Sequence, residues 1–395
     1  MKRFEKDVLT LIRSAFSGEK PKLSGGISVR SIFNFCMAHQ ILGLVYGVLE
    51  KVDYIVRDEE FATIKKKHDL LVNINIRQAF DLQLISEIFN KNGIDFMPLK
   101  GAVLKKIYPD PSMRVMGDTD ILIRESEKDR VVAVMRESGY NFDKESDHEL
   151  VFGYPPACIE LHKRLIPSYN LDYNRYYEDS WKFAKKSCGN EYAMTDEDFF
   201  VYIFTHFAKH YRDKGAGVKY VVDFYVFLKE KPNLNRAYIE EQLKDLKLFE
   251  FYQNILELID VWFNGKEDTK KSDFLTDKIF EAGVYGKSDN SELSSLLKIS
   301  KKHKRYRFVA FMRLIFPSAK NMKVLYPVLN KCILLLPIMY IVRIISKLVR
   351  PKKAAEAINK MNGVAKSTEE VEQYKSDLNY VGLDYNFYDE NGVET

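Results

Sequence analysis

The sequence has only four cysteines, Cys36, Cys158, Cys188 and Cys332, and no two of them stand in a CxxC spacing. That argues for reduced thiols rather than a disulfide framework. No secretory core is visible in the opening "MKRFEKDVLTLIRSAF", where charge alternates with apolar residues, and a cytoplasmic protein is expected. There is no GxxxxGK[ST], which removes a P-loop ATPase, and no internal repeat. Charge of one sign is scarce. The net charge is +5, with Lys and Arg mixed among Asp and Glu almost everywhere, which argues against a dedicated nucleic-acid binder.

Long hydrophobic runs are also missing. The most apolar stretch, "CILLLPIMYIVRIISKLV", follows Lys331 and is interrupted by Arg343. Its uncharged span falls short of the ~18–20 residues that cross a bilayer. A buried helix is expected there. The alternative is a membrane-surface helix, given Lys323, Lys331, Arg343, Lys347 and Arg350 around it, with peripheral membrane contact through residues 325–350. The basic run "KISKKHKRYRF" combines charge and aromatics as a nucleic-acid patch does, but the solvated face of a helix is the plainer expectation.

What is present is an ordinary globular balance, 46% hydrophobic and 30% charged over 395 residues. Residues 1–91 carry apolar residues at three- and four-residue spacings and read as helices, ended by Asn92-Gly93. The period then changes. "IDFMPL", "DTDILIR", "ELVFGY" and "ACIELHKRL" read as strands, and "GAVLKKIY" and "ESEKDRVVAVMRESG" as helices, which gives a small mixed sheet over residues 92–180. Helical spacing returns over 181–350. The polar tail 351–395 is expected to pack loosely. The expected fold class is α+β, a small sheet flanked by helical regions.

Within "MRVMGDTDILI", Asp118 and Asp120 stand one residue apart at the mouth of an apolar strand. The two-residue repeat points both to one side, roughly 6.6 Å apart along the chain. Two carboxylates so placed repel by about 2.5 kcal/mol at an effective dielectric near 20. Cations must therefore sit above them, or the pair is exposed and solvated. In "ACIELHKRL" the same parity puts Glu160 and His162 on one side. If the strands are neighbours, Glu160 joins the pair, and three converging carboxylates suit Mg²⁺ or Mn²⁺. His162 is either a proton acceptor near Glu160 or a surface neighbour. Gly101 opens the helix before the acidic strand and allows close approach by a ligand, with Lys100 and Arg114 as phosphate partners. His206 and His210 lie four apart on one helix face, a spacing that suits zinc, but "HFAKH" lacks the Glu of HExxH and no third ligand is evident, so half-buried polar packing residues are the plainer expectation.

The order "LKGAVL", "RVMGDTDILI", "IELH" resembles the uncharacterised nucleotidyltransferase family within the polymerase-beta-like nucleotidyltransferase superfamily. The resemblance continues through "HFAKHYRDKGAGVKYVVDFYVFL" and "RLIFPSAKNMKVLYP", over most of residues 30–345. Ala102 follows Gly101 where the superfamily's turn usually carries Ser or Gly, and the interval from Gly101 to Asp118 is longer than usual. The resemblance implies transfer of a nucleoside monophosphate from an NTP, ATP included, to an acceptor hydroxyl by two-metal catalysis. Asp118, Asp120 and Glu160 would hold Mg²⁺, with Lys100, Gly101 and Arg114 at the phosphates. It further implies that His206, His210 and Asp223 line the nucleotide cleft. The acceptor, whether small molecule, sugar, peptide or protein, is not named by the sequence, and nucleic acid is less expected. The alternative is a non-catalytic nucleotide-binding or membrane-docked protein that keeps the fold.

Overall fold

The computed structural model describes residues 1–383 apart from residues 26, 53–58, 155–156, 287, 301–311, 313–314, 318, 327 and 350–367. Helices occupy both ends, and a seven-stranded mixed sheet lies between them, an α+β fold. The strands are β1 (Phe96–Pro98), β2 (Thr119–Ile123), β3 (Asn141–Glu145), β4 (Glu149–Tyr154), β5 (Ala157–His162), β6 (Lys185–Cys188) and β7 (Glu191–Ala193). Their spatial order is β3-β4-β5-β2-β1-β7-β6. The central strand β2 runs parallel to β5 and antiparallel to β1.

The two-residue period of the strands divides their side chains between two environments. Ile121 and Ile123 of β2, Ile159 and Leu161 of β5, and Leu150 and Phe152 of β4 pack on one face. There they meet Ile85 and Phe89 of the helix Glu59–Lys91, and Val131 and Met135 of the helix Lys128–Glu137. Each such side chain contributes roughly 1.5–3 kcal/mol on burial. A slip of one residue would turn the whole set to the other face, so this core fixes the register. The residues between them, including Asp120, Glu160 and His162, must therefore face the other way.

That second face looks toward a helical body. The helices Asp196–Asp213, Val218–Glu230 and Phe249–Phe263 interlock through Phe204, Phe207, Phe224 and Phe251. Thr195 caps the first of them by accepting the Asp198 amide. The loop between β1 and β2 is held from below, where the Asn75 amide donates to the Pro111 carbonyl at 2.9 Å and the Gln78 amide reaches the Met116 carbonyl.

The sheet continues to Ala193, past the boundary expected at residue 180, because β6 and β7 add to it beside β1. The tail is not uniformly loose. Thr368–Tyr380 is a helix that buries Val371, Tyr374 and Leu378, and the Tyr374 hydroxyl donates to the Arg212 carbonyl. Residues 351–367 and 384–395 lie outside the described residues, as does "KISKKHKRYRF" from residue 301 onward. The apolar helix Leu336–Val349 is not buried, since Ile338, Ile341, Val342 and Ile345 are exposed. No helix among the described residues is long and apolar enough to cross a membrane.

Candidate active site

The parallel pairing of β2 with β5 sets Asp120 directly opposite Glu160 and Leu122 opposite His162. The antiparallel pairing of β5 with β4 then sets Glu149 opposite His162. Acids and an imidazole thus form a continuous row on the face turned away from the sheet's core. Asp120, Glu160 and His162 each bring a ligand atom within 4.8 Å of the others. Asp118, half-buried one step before β2, lines the same cavity and acts on Glu160 electrostatically. Among the described residues, His162 therefore completes a ligand group with the two paired acids.

A cation does occupy the space beside the aspartates. Lys100 donates from Nζ to Asp120 Oδ1 at 2.7 Å, and His162 Nε2 approaches the same oxygen at 2.7 Å. Lys100 follows β1, whose antiparallel pairing with β2 is extended by the Leu99 amide donating to the Asp120 carbonyl. Its backbone sits at φ 45° and ψ −117°, in a region that a non-glycine residue rarely adopts. Gly101 packs closely on Met116, whose side chain would have to shift to admit a Cβ, since its sulfur would lie 2.6 Å away.

The charges in this row are strongly shifted. Burial, then Asp118 and Asp120, push the Glu160 carboxyl up to about 8. Burial and Asp120 likewise raise Asp118. Burial would raise Asp120 too, but the Lys100 ammonium and the His162 contact override it and hold the carboxyl well below the usual range. Burial and Lys100 lower His162, which keeps the imidazole neutral, and its Nδ1 is buried with no hydrogen-bond partner among the described residues.

Across a cavity of about 300 Å³ the opposite wall is cationic. It is built by the helices Asp196–Asp213 and Val218–Glu230 and the turn between them, which present His206, Lys209, His210, Lys214 and Lys219. Burial and Lys100 bring Lys209 down to about 8, and burial and Arg114 bring Lys219 down to about 7. Lys219 donates to the Gln40 side chain. The rings of His206 and His210 lie 4.4 Å apart, and burial drives both well below their ordinary value, so they are neutral.

Arg114 and Asp223 line the cavity but hold each other. Arg114 donates from Nε at 2.6 Å and from Nη2 at 2.8 Å, and the Tyr108 hydroxyl donates to the same carboxylate at 2.7 Å. This fork brackets the start of β2 against the helix that carries Lys219. The ten candidate site residues, Lys100, Gly101, Arg114, Asp118, Asp120, Glu160, His162, His206, His210 and Asp223, all line this cavity. Sequence reasoning missed Lys209, Lys214 and Lys219, although a lone lysine within "HFAKHY" or "GVKYVV" is a signal of a charge kept on an otherwise apolar helix. It also missed His148 and Glu149, whose side chains pair at 3.1 Å beside His162.

No curated protein and no solved structure matches the chain. A family model matches residues 26–264, a span that takes in the whole sheet, the acidic row and the helices of the cationic wall, and the chain accordingly belongs to the uncharacterised nucleotidyltransferase family.

Proposed function

We propose that the protein transfers a nucleoside monophosphate from an NTP to an acceptor hydroxyl and releases pyrophosphate. The observation that carries this reading is the opposition of signs across one cavity. The carboxylates of Asp118, Asp120 and Glu160 line the sheet side, and Lys209, Lys214 and Lys219 line the helix side. A triphosphate with its divalent ions needs both signs at once, metal toward the acids and phosphate oxygens toward the ammonium groups.

The donor set fits Mg²⁺ or Mn²⁺. Asp120 and Glu160 bring carboxylate oxygens within 4.8 Å of each other with Asp118 lining the same cavity, hard oxygen donors of the kind that Mg²⁺ and Mn²⁺ take. Asp118, Asp120 and Glu160 would hold the ions, with His162 beside them. Bound there, divalent ions supply a lowered pKa for the attacking hydroxyl and charge neutralisation for the leaving group. The acceptor oxygen attacks the α-phosphorus, and the bond to the β-phosphate oxygen breaks with its electron pair leaving on pyrophosphate. With its pKa lowered, the acceptor hydroxyl would lose its proton to solvent, because Glu160 holding an ion is an ionised ligand and no longer the raised carboxyl of the free protein. The lysines of the helical wall orient the phosphates and stabilise the charge that develops on pyrophosphate. Purified protein incubated with labelled NTPs, Mg²⁺ and a panel of hydroxyl acceptors tests the reading. Pyrophosphate release should fall about 100-fold or more in Asp120→Asn, several kcal/mol of lost stabilisation. Unchanged release in that variant would refute the assignment.

One observation favours a second reading, a non-catalytic nucleotide binder. Lys100 already neutralises Asp120 without any ion. Nucleotide binding that is indifferent to divalent ions, with no pyrophosphate released for any acceptor, would select it.

A further inference from the structure

The described residues expose sixteen large hydrophobic side chains, and nine of them fall between Phe316 and Ile345. This concentration lies far from the cavity residues in sequence and takes no part in the proposed chemistry. Its centre is the helix Leu336–Val349. Ile338, Ile341, Val342 and Ile345 follow the three- and four-residue spacing of a single helix face. In a helix packed on a core that face would be covered. Here the four are 55%, 59%, 42% and 54% exposed, and Leu334 in the preceding turn is 83% exposed.

The opposite face is the one that is anchored. Tyr340 donates its hydroxyl to the Pro317 carbonyl at 2.6 Å and packs edge-on against Phe316. Arg343 donates to the Ile315 carbonyl at 3.1 Å. These residues thus fasten the helix to the segment 315–317 and leave its apolar stripe exposed.

The sequence around it supplies the charge. From Leu293 to Ala355 there are 15 Lys and Arg and not one Asp or Glu, whereas the whole chain is only +5, so everything outside this segment is net acidic. This is the one long exception to an otherwise even mixture of signs. An apolar stripe set in a segment of purely positive charge matches an anionic lipid surface, with apolar side chains below the headgroups and ammonium and guanidinium groups among them. A second copy of the chain would bring the same charge against itself. At about 1.5 Å per residue the helix spans about 21 Å, less than the ~30 Å hydrocarbon core, so it lies in the interface rather than through it.

We infer that the exposed face of the helix Leu336–Val349, within its acid-free basic stretch of sequence, docks the protein in-plane on an anionic lipid bilayer. The test is flotation of the full chain with phosphatidylcholine vesicles and with mixed phosphatidylcholine–phosphatidylglycerol vesicles. The wild type is expected to float with the mixed vesicles at least about tenfold better than with phosphatidylcholine alone, and to be released by raised salt. The Ile341→Asp/Ile345→Asp double variant should lose at least about tenfold in binding to the mixed vesicles. Circular dichroism and the thermal unfolding midpoint of the variant should stay those of the wild type, because both side chains are exposed. Failure of the wild type to float, or equal flotation by the folded double variant, would overturn the inference. So would wild-type self-association in sedimentation, abolished by the same substitutions and indifferent to lipid, which would assign the face to a second copy.

Discussion

The Nζ of Lys100 lies 2.7 Å from Oδ1 of Asp120, and the backbone that delivers it is held at φ 45°. A non-glycine residue in such a region costs on the order of 1–3 kcal/mol, which persists only where the surroundings over-determine it. Here the surroundings are a buried carboxylate that would otherwise have no charged partner, only the neutral His162 imidazole. The ammonium therefore claims the same carboxylate that the proposed reaction assigns to a divalent ion. Lysine and metal compete for one group.

That competition predicts the behaviour of Lys100→Met. Without metal the variant leaves Asp120 buried with only His162 beside it, and it should lose roughly 3–5 kcal/mol of stability, the usual effect of breaking one side of a buried pair. Mn²⁺ or Mg²⁺ should then raise its unfolding temperature more than it raises that of the wild type. Thermal unfolding with and without the ion reads both effects. Equal metal-induced shifts in the two proteins would mean that the ion does not share Asp120.

Glu160 makes the metal-free protein sensitive to pH in a definite direction. Its carboxyl is raised from 4.5 to about 8, so the folded state holds a proton that the unfolded state has released. Its effect on stability therefore runs against the fold as pH climbs from about 4.5 to about 8, and is constant above that. Lys219 and Lys209, lowered to about 7 and about 8, act in the opposite sense above about pH 7, because there the unfolded state binds more protons. Comparison with Glu160→Gln separates the two. The stability advantage of the variant over the wild type should grow through that window and then level off, as measured by urea unfolding at a series of pH values. A constant difference would show that Glu160 is not raised.

The fork between Arg114 and Asp223 yields a different kind of outcome. Their side chains are 7% and 4% exposed, so removal of either leaves a buried charge. Asp223→Ala should destabilise by about 3–5 kcal/mol, and the Tyr108 hydroxyl loses its acceptor as well. Urea unfolding measures this. If stability is kept while KM for the NTP rises, the pair serves the nucleotide and not the frame.

Much of the site was legible because a strand's period is strict. Parity alone placed Asp120 and Glu160 on one side of their strands, and the register then set them opposite each other. The strands β3, β6 and β7 were not legible, since "NFDKE", "KKSC" and "EYA" lack an apolar alternation and owe their conformation to a neighbour's edge. Helical spacing showed that residues 336–349 carry an apolar stripe, but periodicity does not say what a stripe faces. The tail helix Thr368–Tyr380 was hidden by its polar composition, with only Val371, Tyr374 and Leu378 turned inward. The lysines of the cationic wall come from helices distant in sequence from the acids, and only the fold brings them together.

Lys219 offers the sharpest test of that wall. Burial and Arg114 lower it to about 7, so at neutral pH it is only partly charged in the free protein. A triphosphate placed against it stabilises the ammonium form, so binding must draw a proton from solution. Calorimetric titration of an NTP without divalent ions, in two buffers of different ionisation enthalpy, reads this uptake apart from the proton that Glu160 would give up to an ion. The wild type should take up protons near pH 8, and its affinity should weaken as pH rises further. Lys219→Met should bind about tenfold more weakly, the loss of one charge-assisted contact, and should take up fewer protons, leaving the share contributed by Lys209. Identical uptake and affinity in the two proteins would remove Lys219 from the phosphate wall.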